Sequence, residues 1–168
     1  MATVSIVMGS KSDLSVMREA SKILDSFNIE NDISIMSAHR TPKRAADFSE
    51  NSVKNGVKVI IAGAGGAAHL AGVMASLTTI PVIGVPIRSS NSIDGLDSLL
   101  STVQMPSGIP VATVAIDAAK NAGILAAQIL GTSDKDISNA LSKFKSDLAL
   151  KVEKDNSALK VEKDNSAL

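Results

Sequence analysis

His39 and Arg40 stand side by side in the segment Ser37-Ala38-His39-Arg40-Thr41-Pro42. An imidazole ionises near neutral pH and can give and take a proton. A guanidinium at a helix start can clamp a phosphate, and Pro42 suits the first position of that helix. Read by itself, His39 could equally be a hydrogen-bonding surface residue. Gly9-Ser10-Lys11-Ser12-Asp13 offers a second set of groups. Small hydroxyls and backbone N–H groups ahead of a helix suit an anion, and Asp13 suits sugar hydroxyls. Ser12 or Asp13 would also serve as a plain helix cap. The third set is Gly63-Ala64-Gly65-Gly66-Ala67-Ala68-His69. Bare backbone there can approach a small anion such as a carboxylate. Tight helix–strand packing is the other use of such glycines, and His69 would be a helix cap or a supporting donor. Gly63, Gly65 and Ala68 loosely match a dinucleotide fingerprint. That site also needs an acidic residue about 20 positions on, and none occurs from His69 through Asn91. A fourth segment, Arg88–Ile109, is long and polar enough for a lid. Its Leu99, Leu100 and Val103 argue for order.

Regular elements must hold these loops. Thr3–Met8, Ile33–Met36, Val57–Ala62, Pro81–Val85 and Val111–Ile116 read as strands. Leu14, Met17, Ala20, Leu24 and Phe27 recur at helical spacing. Further helices are expected after Pro42, stopping at Gly56, then over Leu70–Leu77, Leu96–Val103 and Ala118–Leu130. Strands that are apolar on both faces and alternate with helices indicate a covered parallel sheet. The expected fold is α/β: a three-layer, doubly wound parallel sheet of flavodoxin-like type with a C-terminal helix. Ligands in such sheets sit beyond the carboxyl ends of the strands, where the first three loops fall.

Composition removes several functions. Seventeen basic residues face seventeen acidic ones, with no Trp or Tyr and three Phe. Neither the charge for nucleic acid nor the platform for stacking bases is present. The lack of Trp and Tyr also argues against a flavodoxin-type electron carrier. No Cys and only two His leave no metal site and no thiol nucleophile. A receiver domain wants acidic residues after the first strand and a phosphorylatable Asp after the third; Gly9-Ser10 and Gly63-Ala64 stand there. Val59–Ile87 holds no charged residue, which is long enough for a bilayer. Its five Gly, two Pro and His69 fit buried strands and loops better. No basic leader precedes the first strand, so a cytoplasmic protein without membrane attachment is expected.

Taken in order, these motifs resemble the class I N5-carboxyaminoimidazole ribonucleotide mutase family of purine biosynthesis. The matching segments are Val7–Asp13 (VMGSKSD), Ser37–Pro42 (SAHRTP), Ile60–Leu70 (IIAGAGGAAHL), Gly84–Ile87 (GVPI), Asp97–Ile116 and Ala119–Leu130. The resemblance implies a cofactor-independent enzyme acting on a ribonucleotide and assembled as a homo-octamer with sites shared between subunits. It implies His39 as general acid–base. Ser10, Ser12, Asp13 and Arg40 would bind the ribotide, and Ser37, Ala38, Gly65, Gly66, Ala67 and His69 would complete the pocket wall. Ala71 replaces the family's usual Pro, and Val73-Met74 reverses the common order. Direct carboxylation of aminoimidazole ribonucleotide by CO2 is the alternative activity, and a non-catalytic nucleotide-binding module the alternative class.

The charges divide unevenly along the chain. Residues 1–133, the expected catalytic domain, carry ten basic and ten acidic residues; residues 134–168 carry seven of each. A body so sparing in charge suggests surface covered by other subunits. Residues 134–154 read as a helix, which the resemblance implies packs on a neighbouring subunit, and 155–168 as a frayed polar tail. Within that tail Ala149–Ser157 (ALKVEKDNS) repeats unchanged as Ala158–Ser166. Nine residues turn a helix by about 900°, so Leu159 and Val161 are not expected simply to extend the apolar stripe. The repeat reads as a slipped duplication or a non-native addition rather than as a functional unit.

Overall fold

The computed structural model describes residues 2–90 and 92–165. Its strands are β1 (Val4–Met8), β2 (Asn31–Ile35), β3 (Val59–Gly65), β4 (Val82–Ile87) and β5 (Ala112–Thr113). Its helices are α1 (Leu14–Ser26), α2 (Pro42–Asn51), α3 (Leu70–Ser76), α4 (Leu96–Val103), α5 (Ala119–Gly131) and α6 (Lys135–Asn165). A 3-10 turn, Lys11–Asp13, leads into α1. The strands pair in parallel in the order β2-β1-β3-β4-β5. This is the doubly wound sheet expected from the alternation of strands and helices.

Strand residues alternate between two cores, because successive side chains point to opposite faces. Ile6, Met8, Val59, Ile61, Ile83 and Val85 pack with α1 and α5 on one side. Val7, Ile60, Ala62 and Val82 pack with α2 and α3 on the other. Each of these Val, Ile and Met side chains, buried fully, contributes about 1.5–3 kcal/mol. With both faces covered, the central strands need the continuous apolar runs that they have.

The fifth strand is shorter than the sequence pattern suggests. Its ladder with β4 covers only Ile83↔Ala112 and Gly84↔Thr113. Val114 N–H still donates to Gly84 O at 3.1 Å, and Asp117 N–H to Pro86 O at 2.9 Å. Pro86 therefore turns its bonding side to β5 but has no N–H to give. The ladder stops where that donor is missing.

α6 begins against the body and ends away from it. Ile137, Leu141 and Phe144 pack on the α1/α5 core. The Phe144 ring meets Phe27 edge-on, with centroids 5.5 Å apart. Beyond them Leu148, Leu150, Val152 and Leu159 are exposed. The helix crosses the boundary expected at 154 and enters the second repeat. Leu159 follows Val152 by about two helical turns. It thus lies on the same side as Val152, contrary to the expectation that the second copy leaves the stripe. Residues 166–168 of the expected tail lie outside the described residues.

Gly123 lets α5 approach the backbone of α1. A Cβ there would lie within 2.9 Å of Ala20 O and 3.3 Å of Ala20 Cα, besides striking the Ile23 side chain. Backbone cannot rotate away as a side chain can. Gly123→Ala gains up to about 1 kcal/mol of helix propensity but loses about 1–3 kcal/mol to overpacking. The expected result is a lower urea midpoint with an unchanged m-value; an equal or higher midpoint would show that the helices separate at little cost.

Candidate active site

The loops after β1, β2, β3 and β4 meet at the carboxyl edge of the sheet. They enclose a cleft of about 200 Å³. Ser10, Ser12, Asp13, Ser37, Ala38, His39, Arg40, Gly65, Ala67 and His69 all line it. Of the residues expected to catalyse or bind, only Gly66 does not line it. Its φ of +60° places it at the turn of the loop, in the left-handed region where glycine is unstrained.

The β1 loop is built by Ser10. Its side chain accepts the Ser12 N–H at 3.4 Å and caps the 3-10 turn. Asp13 sits at the start of α1 without a capping hydrogen bond. The plain capping role thus falls to Ser10, and the Asp13 carboxylate is left to face the cleft. Asp13 is buried, and Ser12 Oγ donates to its Oδ1 at 3.0 Å. Burial pushes its pKa above the ordinary carboxylate value. The Ser12 hydroxyl, the Ser10 backbone and the Arg40 charge pull the other way and do not outweigh it.

The β2 loop is closed by Thr41. Its hydroxyl donates to Ser37 O at 3.1 Å and accepts the Ser37 N–H at 2.9 Å. Thr41 is thereby committed to the loop and leaves α2 without a side-chain cap. Ser37 Oγ accepts from Arg40 N at 3.2 Å and from Arg40 Nε at 3.4 Å. Arg40 Nη2 crosses to the β1 loop and donates to Gly9 O at 2.8 Å. One guanidinium joins two loops, with N–H groups left over for a ligand. Ala38 packs on the α2/α3 core, which anchors the loop from below.

The β3 loop brings the second imidazole. His69 occupies the N-cap position of α3, but its ring makes no capping bond. Instead His69 Nδ1 lies 2.8 Å from His39 Nε2. The rings meet edge-on, with centroids 4.9 Å apart and an interplanar angle of 80°. Sequence reasoning placed both residues in the pocket but did not find this bond. No protein acceptor takes the N–H groups of Gly66, Ala67 and Ala68 among the described residues. The packing use of the glycines also holds. A Cβ on Gly63 would strike Met17 Sδ and come within 2.9 Å of Ile87.

Gly9, Ala64, Leu70 and Ser89 also line the cleft and were not among the expected site residues. Gly9 and Ala64 adjoin expected positions. Ser89 comes from the β4 loop, where a run of serines and the exposed Arg88 offered no distinguishing signal. No group of His, Asp and Glu suited to a metal ion occurs among the described residues. No described helix is long and apolar enough to cross a membrane.

Comparison with known proteins places this geometry in context. Residues 3–151 match the family model of AIR carboxylase. Over 151 residues the chain is 58% identical to an N5-carboxyaminoimidazole ribonucleotide mutase of Pyrococcus horikoshii, covering 90% of this chain and 85% of that one. The Thermotoga maritima protein of the same name is 55% identical, with 90% and 88% covered. The crystal structure of Treponema denticola PurE matches with a TM-score of 0.84 at 34% identity, covering 93% of this chain and 97% of that one.

The buried Asp13 has a thermodynamic consequence. A carboxyl whose pKa is raised by folding stabilises the native state most at low pH. That contribution is lost as pH rises from its unfolded value of 3.8 through its higher folded value. Asp13→Asn removes the penalty of a buried charge. The variant should therefore unfold at a higher denaturant midpoint than the parent at pH 7, and the gap should close as pH falls below 4. A variant that is less stable at pH 7 would mean that the Ser12 and Arg40 interactions outweigh desolvation.

Proposed function

The chain belongs to the AIR carboxylase family, and its reaction is that of N5-carboxyaminoimidazole ribonucleotide mutase in purine biosynthesis; we propose that the cleft at the sheet edge is its active site and that His39 carries the proton. The observation that carries this assignment is the 2.8 Å bond between His39 Nε2 and His69 Nδ1. It holds His39 beside Arg40, Asp13 and the unpaired N–H groups of the β3 loop.

The reaction moves a carboxylate from the exocyclic nitrogen of the aminoimidazole to carbon 4 of the ring. His39 in its protonated form gives its proton to the carbamate nitrogen. The nitrogen–carboxylate bond then breaks, its electron pair stays on nitrogen, and CO2 is released within the cleft. The electron-rich ring carbon attacks the CO2 carbon and forms the new bond. His39, now neutral, takes the proton from that carbon, and the ring regains its aromatic form. Proton and charge are both restored, so one residue suffices as acid and then base.

The remaining groups bind and position. Arg40 and the Ser10–Ser12 backbone suit the ribotide phosphate, and Asp13 suits its sugar hydroxyls. The Gly65–Ala68 loop suits the carboxylate and the CO2 derived from it, with Ser37 and Ala38 closing the wall. Binding at the phosphate end holds the ring where the proton must move. The functional unit under this reading is a homo-oligomer, an octamer. In its favour, Ile93, Leu96, Leu100 and Val103 form an exposed apolar row at helical spacing along α4 and its lead-in, which a second copy would cover.

His39→Asn should lower kcat by about 10²–10⁴-fold, the usual worth of a positioned acid–base group. Ribotide affinity should stay within a few-fold of the parent. Turnover is read by the ultraviolet absorbance of 4-carboxy-5-aminoimidazole ribonucleotide, and normal turnover would remove His39 from the role. Arg40→Ala should instead act chiefly on binding. Affinity for the ribotide should fall by roughly 10–100-fold, the worth of a charge-assisted bond. Unchanged affinity would place the phosphate elsewhere.

A further inference from the structure

Ser89 is mounted with unusual care for a loop serine that packs little. The chain before it is tied on both sides. Ser98 Oγ donates to Ile87 O at 3.0 Å, and Asp117 Oδ1 accepts the Arg88 N–H at 2.9 Å. Asp117 adopts a φ of +58° to do so, a conformation that costs free energy in a non-glycine residue. The chain after it is tied by Ser92. Ser92 Oγ accepts the Ser89 N–H at 3.2 Å and the Gly95 N–H at 3.2 Å, and donates to Ser89 O at 2.8 Å. Both backbone groups of Ser89 are thus engaged by one hydroxyl.

The Ser89 hydroxyl itself has no protein partner among the described residues. It lines the cleft and stands against the β3 loop. A Cβ on Gly65 would lie 3.0 Å from Ser89 Cβ and 3.3 Å from Ser89 Oγ. The absence of a side chain at Gly65 therefore leaves room for the hydroxyl beside the β3 loop. A fixed backbone, a free hydroxyl and a neighbour cut back to glycine together describe a donor held ready for an acceptor. Ser92, one turn on, lacks this freedom because its oxygen is fully engaged.

We propose that Ser89 is a substrate-binding residue whose hydroxyl donates to the migrating carboxylate. It would complete from the β4 side the row of donors that the β3 loop presents. This rests on the assignment of the cleft as the mutase active site and adds a fourth loop to it. The hydroxyl meets the carboxylate on the nitrogen, the CO2 between the two positions, and the carboxylate on carbon. Its effect is specific to ligands that carry that group.

The test compares two ribotides on the full chain by titration calorimetry. Aminoimidazole ribonucleotide lacks the carboxylate; 4-carboxy-5-aminoimidazole ribonucleotide has it. Ser89→Ala should bind the first as the parent does and the second roughly 10–100-fold more weakly, the worth of a hydrogen bond to a charged group. During turnover in 13C-bicarbonate the variant should also place more label in product, because CO2 is held less firmly. Equal weakening of both ribotides would overturn the proposal and make Ser89 a structural residue. So would unchanged affinity for both with unchanged label retention. If the parent chain itself bound neither ribotide, the assignment of the cleft would fail, and this proposal with it.

Discussion

Every group in the cleft depends on the parallel register of four neighbouring strands, β2-β1-β3-β4. Parallel pairing sends all carboxyl ends to one edge, so loops far apart in the chain must converge there. The ladder carries on past the strands themselves. Met36 N–H donates to Met8 O at 3.0 Å, and Gly9 N–H to Gly63 O at 3.2 Å. The first residues of each loop are therefore still held in register when the chain turns. His39 and His69, thirty residues apart, can then meet within 2.8 Å. Helix packing beneath the edge keeps that register rigid, and small residues make the packing close. Gly63 yields its space to Met17, and Gly123 yields its own to the α1 backbone.

Arg40 shows how the loops are held before any ligand arrives. Its Nη2 bond to Gly9 O and its Nε bond to Ser37 Oγ lock the β1 loop to the β2 loop. A guanidinium fixed in this way loses little further freedom when it takes up an anion, which lowers the cost of binding. Asp13 is the opposite case. Its burial costs stability that neither the Ser12 hydroxyl nor the Arg40 charge recovers. Such local cost is tolerable because the two aliphatic cores on either side of the sheet are extensive. Strain at Asp117, which pins the β4 loop, belongs to the same pattern.

How much could be read from the sequence follows from what is local in it. The strands, helices and glycine loops are written in short-range periodicity and turn chemistry, and α4 has the bounds expected of it. The site loops were legible because the fold class sends every parallel strand's carboxyl end to the ligand edge. Contacts between loops were not, since His39 to His69 and Arg40 to Gly9 depend on the inter-strand register. Pro86 could have signalled the short β5, but only once the side of β4 that meets β5 was known. Ser89 was hidden for a different reason. Its neighbours Ser90 and Ser92 are the same residue type, and only the engagement of the Ser92 hydroxyl separates a clamp from a free donor. A half-turn between repeats does not by itself place Leu159, because Leu159 corresponds to Leu150 and not to Val152. Its place on α6 follows from its distance to Val152.

If His39 is the acid–base group proposed above, its bond to His69 bears on how it would move a proton. In the neutral pair one ring donates along the Nε2–Nδ1 line and the other accepts. Add one proton and the bond survives on either assignment: a charged His39 donates to a neutral His69, or a charged His69 donates to a neutral His39. Add a second and both nitrogens on that line carry hydrogen. That arrangement leaves no acceptor on the line, and the bond is lost. The 2.8 Å bond thus needs one of the two nitrogens free of hydrogen. The carboxylate shift needs one proton given to nitrogen and one taken from carbon. An acid–base group that passes between neutral and singly charged forms, with its ring orientation held by the same hydrogen bond in both, can do each step without rearrangement. Two separate surface histidines would have to be oriented anew at each transfer. The close approach of His69 gives the His39 ring a fixed direction.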